Sequence, residues 1–360
     1  MTPFVYTGLP TRVVFGAGSL ARIAEEVRAL AAGKALVLSS PGQAAQAQAV
    51  ADLLGPLAAG VFPGARMHTP VAVTLQALQQ LKDSGAGCTV AIGGGSATGL
   101  GKALALRTGV PQIVIPTTYA GSECTAVVGQ TEGGHKTTQS HPAVLPKVVL
   151  YDVELTLGLP VSVSVASGFN ALAHAAEALY ARNANPLIST LAVEGVRALA
   201  AALPSIVRTP ADREARSQAQ YGAWLCGLCL GSVGMALHHK LCHTLGGSFG
   251  LPHAATHAVL LPYTLAYNAP AAPAAMAALA GALGATDADV PQALFGLART
   301  LGVPDSLRSL GMPEVELATV ARLAIENPYW NPRPLEYEPL LALLTAAWHG
   351  WPPRSGRGRE

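Results

Sequence analysis

The chain has 360 residues, room for two or three domains, and half of them are hydrophobic, so a sizeable core can form and bulk disorder is excluded. Charged side chains make up 12% of the sequence, about half the usual share, and 23 basic against 21 acidic residues leave a net charge of +2. No basic face is announced, which excludes nucleic acid as an expected partner. The deficit is uneven. Ser217 to Thr286 holds one formal charge, Lys240, together with His238, His239, His243, His253 and His257, five of the ten histidines.

In chain order, Phe4 to Tyr6 and Arg12 to Phe15, around Leu9-Pro10, predict a β-hairpin or edge pair. Ala35 to Ser39, Gly60 to Phe62, Cys88 to Ile92 and Gln112 to Ile115 are short apolar runs separated by Ala- and Leu-rich stretches. That rhythm is the βαβ pattern of a parallel sheet with helices on both faces. After Tyr151-Asp152 the strand signal ends. From Val161 the segments are long and helical, punctuated by Pro186, Pro204, Pro252, Pro270, Pro304 and Pro328, and Gly246-Gly247 and Leu251-Pro252 read as breaks. The expected organisation is an α/β Rossmann-like domain over 1–155, an all-helical domain over 156–351 and a disordered tail over 352–360.

Tyr221 to Leu237 is free of charge, which raises the question of a membrane span. Its four glycines, its length just under the ~18 residues a span needs, and the His238-His239-Lys240 that follows favour a buried helix, and no membrane partner is expected. The N-terminus lacks the basic and apolar regions of a secretory signal. Five cysteines, Cys88, Cys124, Cys226, Cys229 and Cys242, argue against a disulfide framework and for a cytoplasmic location. Cys226 and Cys229 form a C-x-x-C with no second pair nearby, which reads as core packing.

Ile92 closes a strand and is followed by Gly93-Gly94-Gly95-Ser96 and a helix-forming run from Ala97 to Leu106. Glycines admit a phosphate close to the backbone, and the helix start offers free N–H groups; the alternative is a structural tight turn. The loop Pro116 to Glu123, with Thr117, Thr118 and Ser122, also follows an apolar strand, and ligands of doubly wound sheets sit at such strand ends. Leu38-Ser39-Ser40 places serine where a carboxylate would select against the extra phosphate of NADPH, so NADH and NADPH are both allowed.

Asn170, His174 and Glu177 stand at i, i+4 and i+7 and share a helix face, and His239 and His243 repeat the i, i+4 spacing. With His253 they could form a metal site or a set of hydrogen-bonded, half-buried histidines. His68, His135 and His141 sit in expected loops.

Taken together these stretches resemble the iron-containing alcohol dehydrogenase superfamily, and within it the maleylacetate reductase subgroup. The resemblance runs from about Tyr6 to Leu344. It is carried by Gly93 to Lys102, Pro116 to Glu123 with Thr131 to Thr138, Gly168 to His174, His238 to His253, and Asn327 to Arg333. It implies a dehydroquinate synthase-like architecture, an NAD(P)H-dependent reductase acting on a small dicarboxylate, and a homodimer.

Two departures stand out. Relative to the metal-dependent alcohol dehydrogenases of that superfamily, whose glycine loop usually continues to an aspartate, this chain has Gly99, and where their first metal ligand is an aspartate it has Asn170. His174, His239 and His253 match the other ligand positions, but a set with no anion binds a divalent cation weakly, so no obligatory metal is expected. The resemblance implies His243 as proton donor or polariser, with His174, His239 and His253 as further donors. Lys240 is the cation of the neutral window, and Lys136, Arg333 and Asn170 are candidate substrate contacts. The alternatives are a metal-dependent alcohol dehydrogenase of the same superfamily and a non-catalytic NAD(P)-binding protein.

Overall fold

The computed structural model describes residues 3–133, 135–285, 289–326 and 329–354; the side chain of Lys136, with Gly134, Asn327, Pro328 and the tail from 355 onward, lies outside the described residues. The chain divides into two compact units, one of residues 8–159 and one of 160–360 joined by residues 1–7.

The first unit runs β1 (Arg12–Phe15), α1 (Ile23–Ala29), β2 (Ala35–Leu38), α2 (Ala44–Leu54), β3 (Ala58–Phe62), α3 (Val71–Asp83), β4 (Cys88–Gly93), α4 (Gly95–Thr108), β5 (Gln112–Pro116), β6 (Val127–Glu132), β7 (His135–Ser140) and β8 (Val148–Tyr151). Six strands form one sheet in the order β1-β8-β5-β4-β2-β3, every pair parallel. β2, β4, β5 and β8 are buried on both faces, which explains their unbroken apolar runs. Val37, Val90, Ile92 and Ile113 pack with α1 and α2 on one side, and Leu36, Leu38, Ala91 and Val114 with α3 and α4 on the other. The chain leaves β2 for the edge strand β3 and returns to β4 on the far side of β2. The strand order therefore reverses between β2 and β4, and ligands of such sheets bind at that reversal.

Two expectations fail here. Phe4 to Tyr6 forms no strand with β1; β1 pairs in parallel with β8 alone, and Phe4, Val5 and Tyr6 are exposed. Residues read as loop, including His135, instead form the antiparallel hairpin β6–β7. Its strand residues are mostly polar and exposed, so no apolar alternation announces it.

The second unit comprises α5 (Val161–Leu179), α6 (Pro186–Arg208), α7 (Arg213–Ser232), α8 (Leu237–Phe249), α9 (His253–Asn268), α10 (Pro273–Leu283), α11 (Val290–Thr300), α12 (Leu317–Ile325) and α13 (Tyr337–His349). α5 is buried on nearly every face from Ser164 to Ala178 and packs on α6, α7 and α9. The helix carrying the run from Tyr221 ends at Ser232, and α7 and α8 meet at 94°, so the run is no single span. α6 is long and apolar enough to cross a membrane by length and composition; its buried stripe from Ile188 to Ile206 packs in the bundle instead.

Pro204 and Gly246-Gly247 do not act as breaks. α6 continues through Pro204 to Arg208, and α8 continues to Phe249, ending at Gly250 in the left-handed region (φ 69°). Tertiary packing outweighs the ~1 kcal/mol helix cost of each glycine. The five cysteines are buried and none is in a disulfide. Cys226 and Cys229 lie in the α7 core, where burial pushes the Cys229 thiol up to about 12.

Candidate active site

In the first unit, β4 delivers its chain end into a glycine cradle. Gly93 has φ 143°, and a Cβ there would stand 2.6 Å from Gln43 Oε1; a Cβ on Gly94 would stand 3.0 Å from the Thr118 methyl. α4 begins at Gly95 with no side-chain cap and no acidic residue in its first turn, which leaves backbone N–H groups for an anion. The loop after β5 closes on this start: Thr117 N donates to Gly93 O (3.0 Å), and Gln43 Nε2 donates to Thr117 Oγ1 (2.9 Å). Gly93 to Ser96, with Thr117, Thr118 and Ser122, are the residues that could hold the diphosphate of a dinucleotide. Ser39 ends the neighbouring β2 with its side chain buried and its hydroxyl without a hydrogen-bond partner.

Gly99, where the metal-dependent alcohol dehydrogenases usually have aspartate, explains itself locally. A Cβ at Gly99 would overlap Thr69 Oγ1. Thr69 is buried, has φ 46°, and is tied through its N–H to Arg66 O and through its carbonyl to Thr131 N. We expect Gly99→Asp to destabilise the fold by ~1–3 kcal/mol through overpacking. Urea unfolding checks this; an unchanged midpoint would show that Thr69 moves aside freely.

In the second unit the expected histidines converge. His174 of α5, His238, His239 and His243 of α8, and His253 and His257 of α9 form a continuous chain of ring contacts, with centroids 4.4–6.2 Å apart. Glu177, one turn beyond His174 on α5, is fully buried and organises them. Its Oε1 accepts from His238 N (2.7 Å), and its Oε2 accepts from Ala236 N (2.9 Å) and His239 Nδ1 (2.7 Å). One carboxylate thus caps the start of α8 and fixes the His239 ring. His239 Nε2 in turn meets His174 Nδ1 at 2.8 Å. When His239 is neutral, His174 donates across this contact; when His239 holds a second proton, His174 accepts. The contact survives either state, which is what a proton relay requires.

A second chain of hydrogen bonds fixes His238 and His257. Thr264 Oγ1 donates to the carbonyls of Leu260 and Leu261, so it accepts from His238 Nδ1 (2.9 Å). His238 Nε2 then accepts from His257 Nδ1 (2.9 Å), a tautomer assignment that follows from the network. His257 Nε2 keeps its lone pair and has no hydrogen-bond partner. Burial, helped by the neighbouring imidazoles, holds both rings well below the ordinary histidine range.

This has a stability consequence. A depressed folded pKa means that the unfolded chain binds more protons below about 6.5. The stability from neutral His238 and His257 is therefore full above that pH and is lost as pH falls toward the lower folded values. We expect these two rings to remove ~2–3 kcal/mol of unfolding free energy between pH 7.5 and 5.5. Denaturant melts across that range test it: His257→Phe, which cannot titrate, should flatten the dependence, and an undiminished slope would exclude His257 as a source.

The family's metal is poorly served. Asn170, buried on the His174 face, offers an amide where a carboxylate would supply charge. His174 Nδ1 and His239 Nε2 stand at hydrogen-bond distance, closer than the ~3.3 Å separating two nitrogens on one tetrahedral ion at 2.0–2.1 Å. Among the described residues, the ligand atoms close enough to share an ion are those of His238, Cys242 and His257, not those of His174, His239 and His253. The first trio is already joined by hydrogen bonds. The donor set does not fit a tightly held divalent cation.

The other expected residues are placed as follows. His243 is exposed, with its ring stacked 6.1 Å from His253. Lys240 Nζ lies 5.6 Å over the Tyr329 ring. Arg333 is occupied structurally: its guanidinium lies 4.2 Å over the Tyr267 ring and donates to Tyr267 O. Lys136 has its backbone in β7. Glu177, which ties His238 and His239 together, and the buried pair His238 and His257 were not among the site residues expected from the sequence. The one available signal was Glu177 on the Asn170–His174 face.

The chain is similar to known proteins along nearly its whole length. Residues 10–153 match the iron-containing alcohol dehydrogenase family, and residues 164–348 match the C-terminal part of the Fe-containing alcohol dehydrogenase family. The chain is 58% identical to a maleylacetate reductase of Rhizobium sp. (strain MTP-10005), covering 97% of this chain and 99% of that one. It is 53% identical to a maleylacetate reductase of Burkholderia cepacia over the same shares. The crystal structure of maleylacetate reductase from Agrobacterium tumefaciens is 57% identical, with a TM-score of 0.94, covering 98% of this chain and 100% of that chain. The chain belongs to the iron-containing alcohol dehydrogenase family.

Proposed function

We propose that the protein is an NAD(P)H-dependent maleylacetate reductase, reducing the carbon–carbon double bond of maleylacetate to give 3-oxoadipate in the breakdown of aromatic compounds. Likeness to proteins of that name along nearly the whole chain carries the reading. Bound NADH or NADPH would supply the hydride. The protein's own groups supply the rest. Addition beta to the ketone puts negative charge on the ketone oxygen and calls for a proton at the alpha carbon. His174, oriented through His239 and Glu177, and His253 serve as donors to the oxygen, and His243 delivers the proton. Lys240 is the cation for one carboxylate; Arg333, held by Tyr267, is a weaker candidate for the other. Asn170 offers a neutral amide to the substrate in place of a metal ligand.

The matched family is iron-containing, so metal independence belongs to this proposal; Asn170 and the His174–His239 hydrogen bond support it. The deciding experiment is a steady-state assay with maleylacetate and each reduced nicotinamide, before and after exhaustive chelation. Activity that disappears on chelation and returns with iron or zinc would overturn metal independence. Turnover of simple aldehydes in place of maleylacetate would favour a metal-dependent alcohol dehydrogenase, and binding without any turnover would leave a non-catalytic cofactor-binding protein. A cytoplasmic homodimer is part of the same reading; five cysteines outside any disulfide fit a reducing compartment, and light scattering tests the dimer.

A further inference from the structure

α4 carries a lysine that the reaction does not use. Lys102 lies seven residues after Gly95, and its whole side chain is buried. Its ammonium has three N–H groups and four oxygens around it: Ser122 O (2.6 Å), Thr125 O (2.7 Å), Thr125 Oγ1 (2.7 Å) and Val127 O (2.9 Å). Thr125 Oγ1 spends its own proton on Ser122 O (3.0 Å), so its lone pairs are free to face Nζ. None of the four oxygens is a carboxylate. Burial pulls the Lys102 ammonium down to about 7, and Glu123, also buried and held by Tyr151 Oη (2.9 Å), opposes that fall at longer range.

All four acceptors belong to one segment, residues 122–127. That segment leaves the cofactor loop after Gly121, whose φ of 79° permits the reversal. At its head, the Ser122 hydroxyl is sheltered, has no hydrogen-bond partner, and lies 4.0 Å from where a Cβ of Gly95 would stand, at the uncapped start of α4. The cation on α4 therefore grips the carbonyl of the residue whose hydroxyl faces the start of the same helix.

We infer that Lys102 is a positioning residue for the dinucleotide: its ammonium acts as a built-in cation that joins the glycine cradle to the Ser122 loop and aims the Ser122 hydroxyl at the diphosphate. This rests on the reading of these loops as the cofactor site. A lysine serving only to fill the core would be replaceable by an apolar side chain of similar length, since volume-conserving core changes cost little. A cation caged by oxygens would not be.

The test measures binding of NADH and NADPH directly by fluorescence, with no maleylacetate present, and follows thermal unfolding of the same samples. Lys102→Met should raise the dissociation constant by roughly ten-fold or more, while the turnover number at saturating cofactor stays within about three-fold of wild type. Lys102→Ala should regain binding with methylammonium or ethylammonium and not with ethanol, because the cage selects a cation. Ser122→Ala, which leaves the cage intact, should weaken binding without lowering the melting temperature. Wild-type affinity in Lys102→Met or in Ser122→Ala would overturn the inference, as would a loss in Lys102→Ala that amines do not reverse. If the wild-type protein binds neither nicotinamide, the cofactor reading itself fails and takes this one with it; failure to reduce maleylacetate leaves it standing.

Discussion

Glu177→Ala is expected to cost ~3–5 kcal/mol of stability and to lower turnover by about 10²–10⁴-fold. The carboxylate is fully buried and receives three donors, Ala236 N, His238 N and His239 Nδ1. Removing it strands all three away from water. Glu177→Gln separates the structural share from the chemical one. Its single oxygen can replace only one of the two carboxylate oxygens, so its NH2 group must face a donor. If that donor is His239 Nδ1, the ring is driven to the opposite tautomer and its Nε2–H now points at His174. We therefore expect Gln to cost ~1–3 kcal/mol, as for one unsatisfied buried group, while turnover still falls about 10²-fold or more. Denaturant melts and turnover numbers on the two variants test this. A Glu177→Gln enzyme within two-fold of wild type would reduce Glu177 to a helix cap.

Glu177 is legible in the sequence only in part. Its place on the Asn170–His174 face was visible from i, i+4 and i+7 spacing, because helix periodicity is local. Its partner, His239, lies 62 residues away on α8, and only the packing of that helix brings the two together. The same division runs through the molecule. β2, β4, β5 and the glycine loop were legible because a parallel strand buried on both faces needs an unbroken apolar run, and Gly93 a conformation that side chains resist. The β6–β7 hairpin was not, since its strand residues are mostly polar and exposed and follow no apolar period.

Lys102 shows the limit most sharply. The sequence shows Lys102 only as the end of the glycine-loop stretch, and the fold alone reveals four oxygens around its nitrogen. Arg333 shows a related limit. As a cation near the C-terminus it suggested a carboxylate contact, yet Tyr267 holds it by ring face and carbonyl. The histidine window gave its secret in part: the density of imidazoles announced a site, while the split into a relay through Glu177 and a neutral pair through Thr264 depends on side chains that no spacing connects.

His243 offers the cleanest probe of the chemistry, because it is exposed. We expect His243→Ala to melt within ~0.5 kcal/mol of wild type, to keep its NADH dissociation constant within about two-fold, and to lose about 10²–10⁴-fold in turnover, the usual range for a positioned proton donor. A solvent isotope effect on turnover should grow in the variant, as proton delivery from water replaces delivery from the ring. The pairing with Glu177 makes the prediction sharper. His239 stands between them, its Nδ1 on Glu177 and its ring 6.2 Å from that of His243. If both variants damage one proton-delivery step, the double variant Glu177→Gln, His243→Ala should be hardly slower than the worse single, since groups that act as a unit are strongly non-additive. Multiplicative losses would instead mean that His243 protonates the alpha carbon while the Glu177 relay serves the ketone oxygen independently. Unchanged turnover in His243→Ala would remove it from the mechanism and leave His174, at the end of the relay, as the donor.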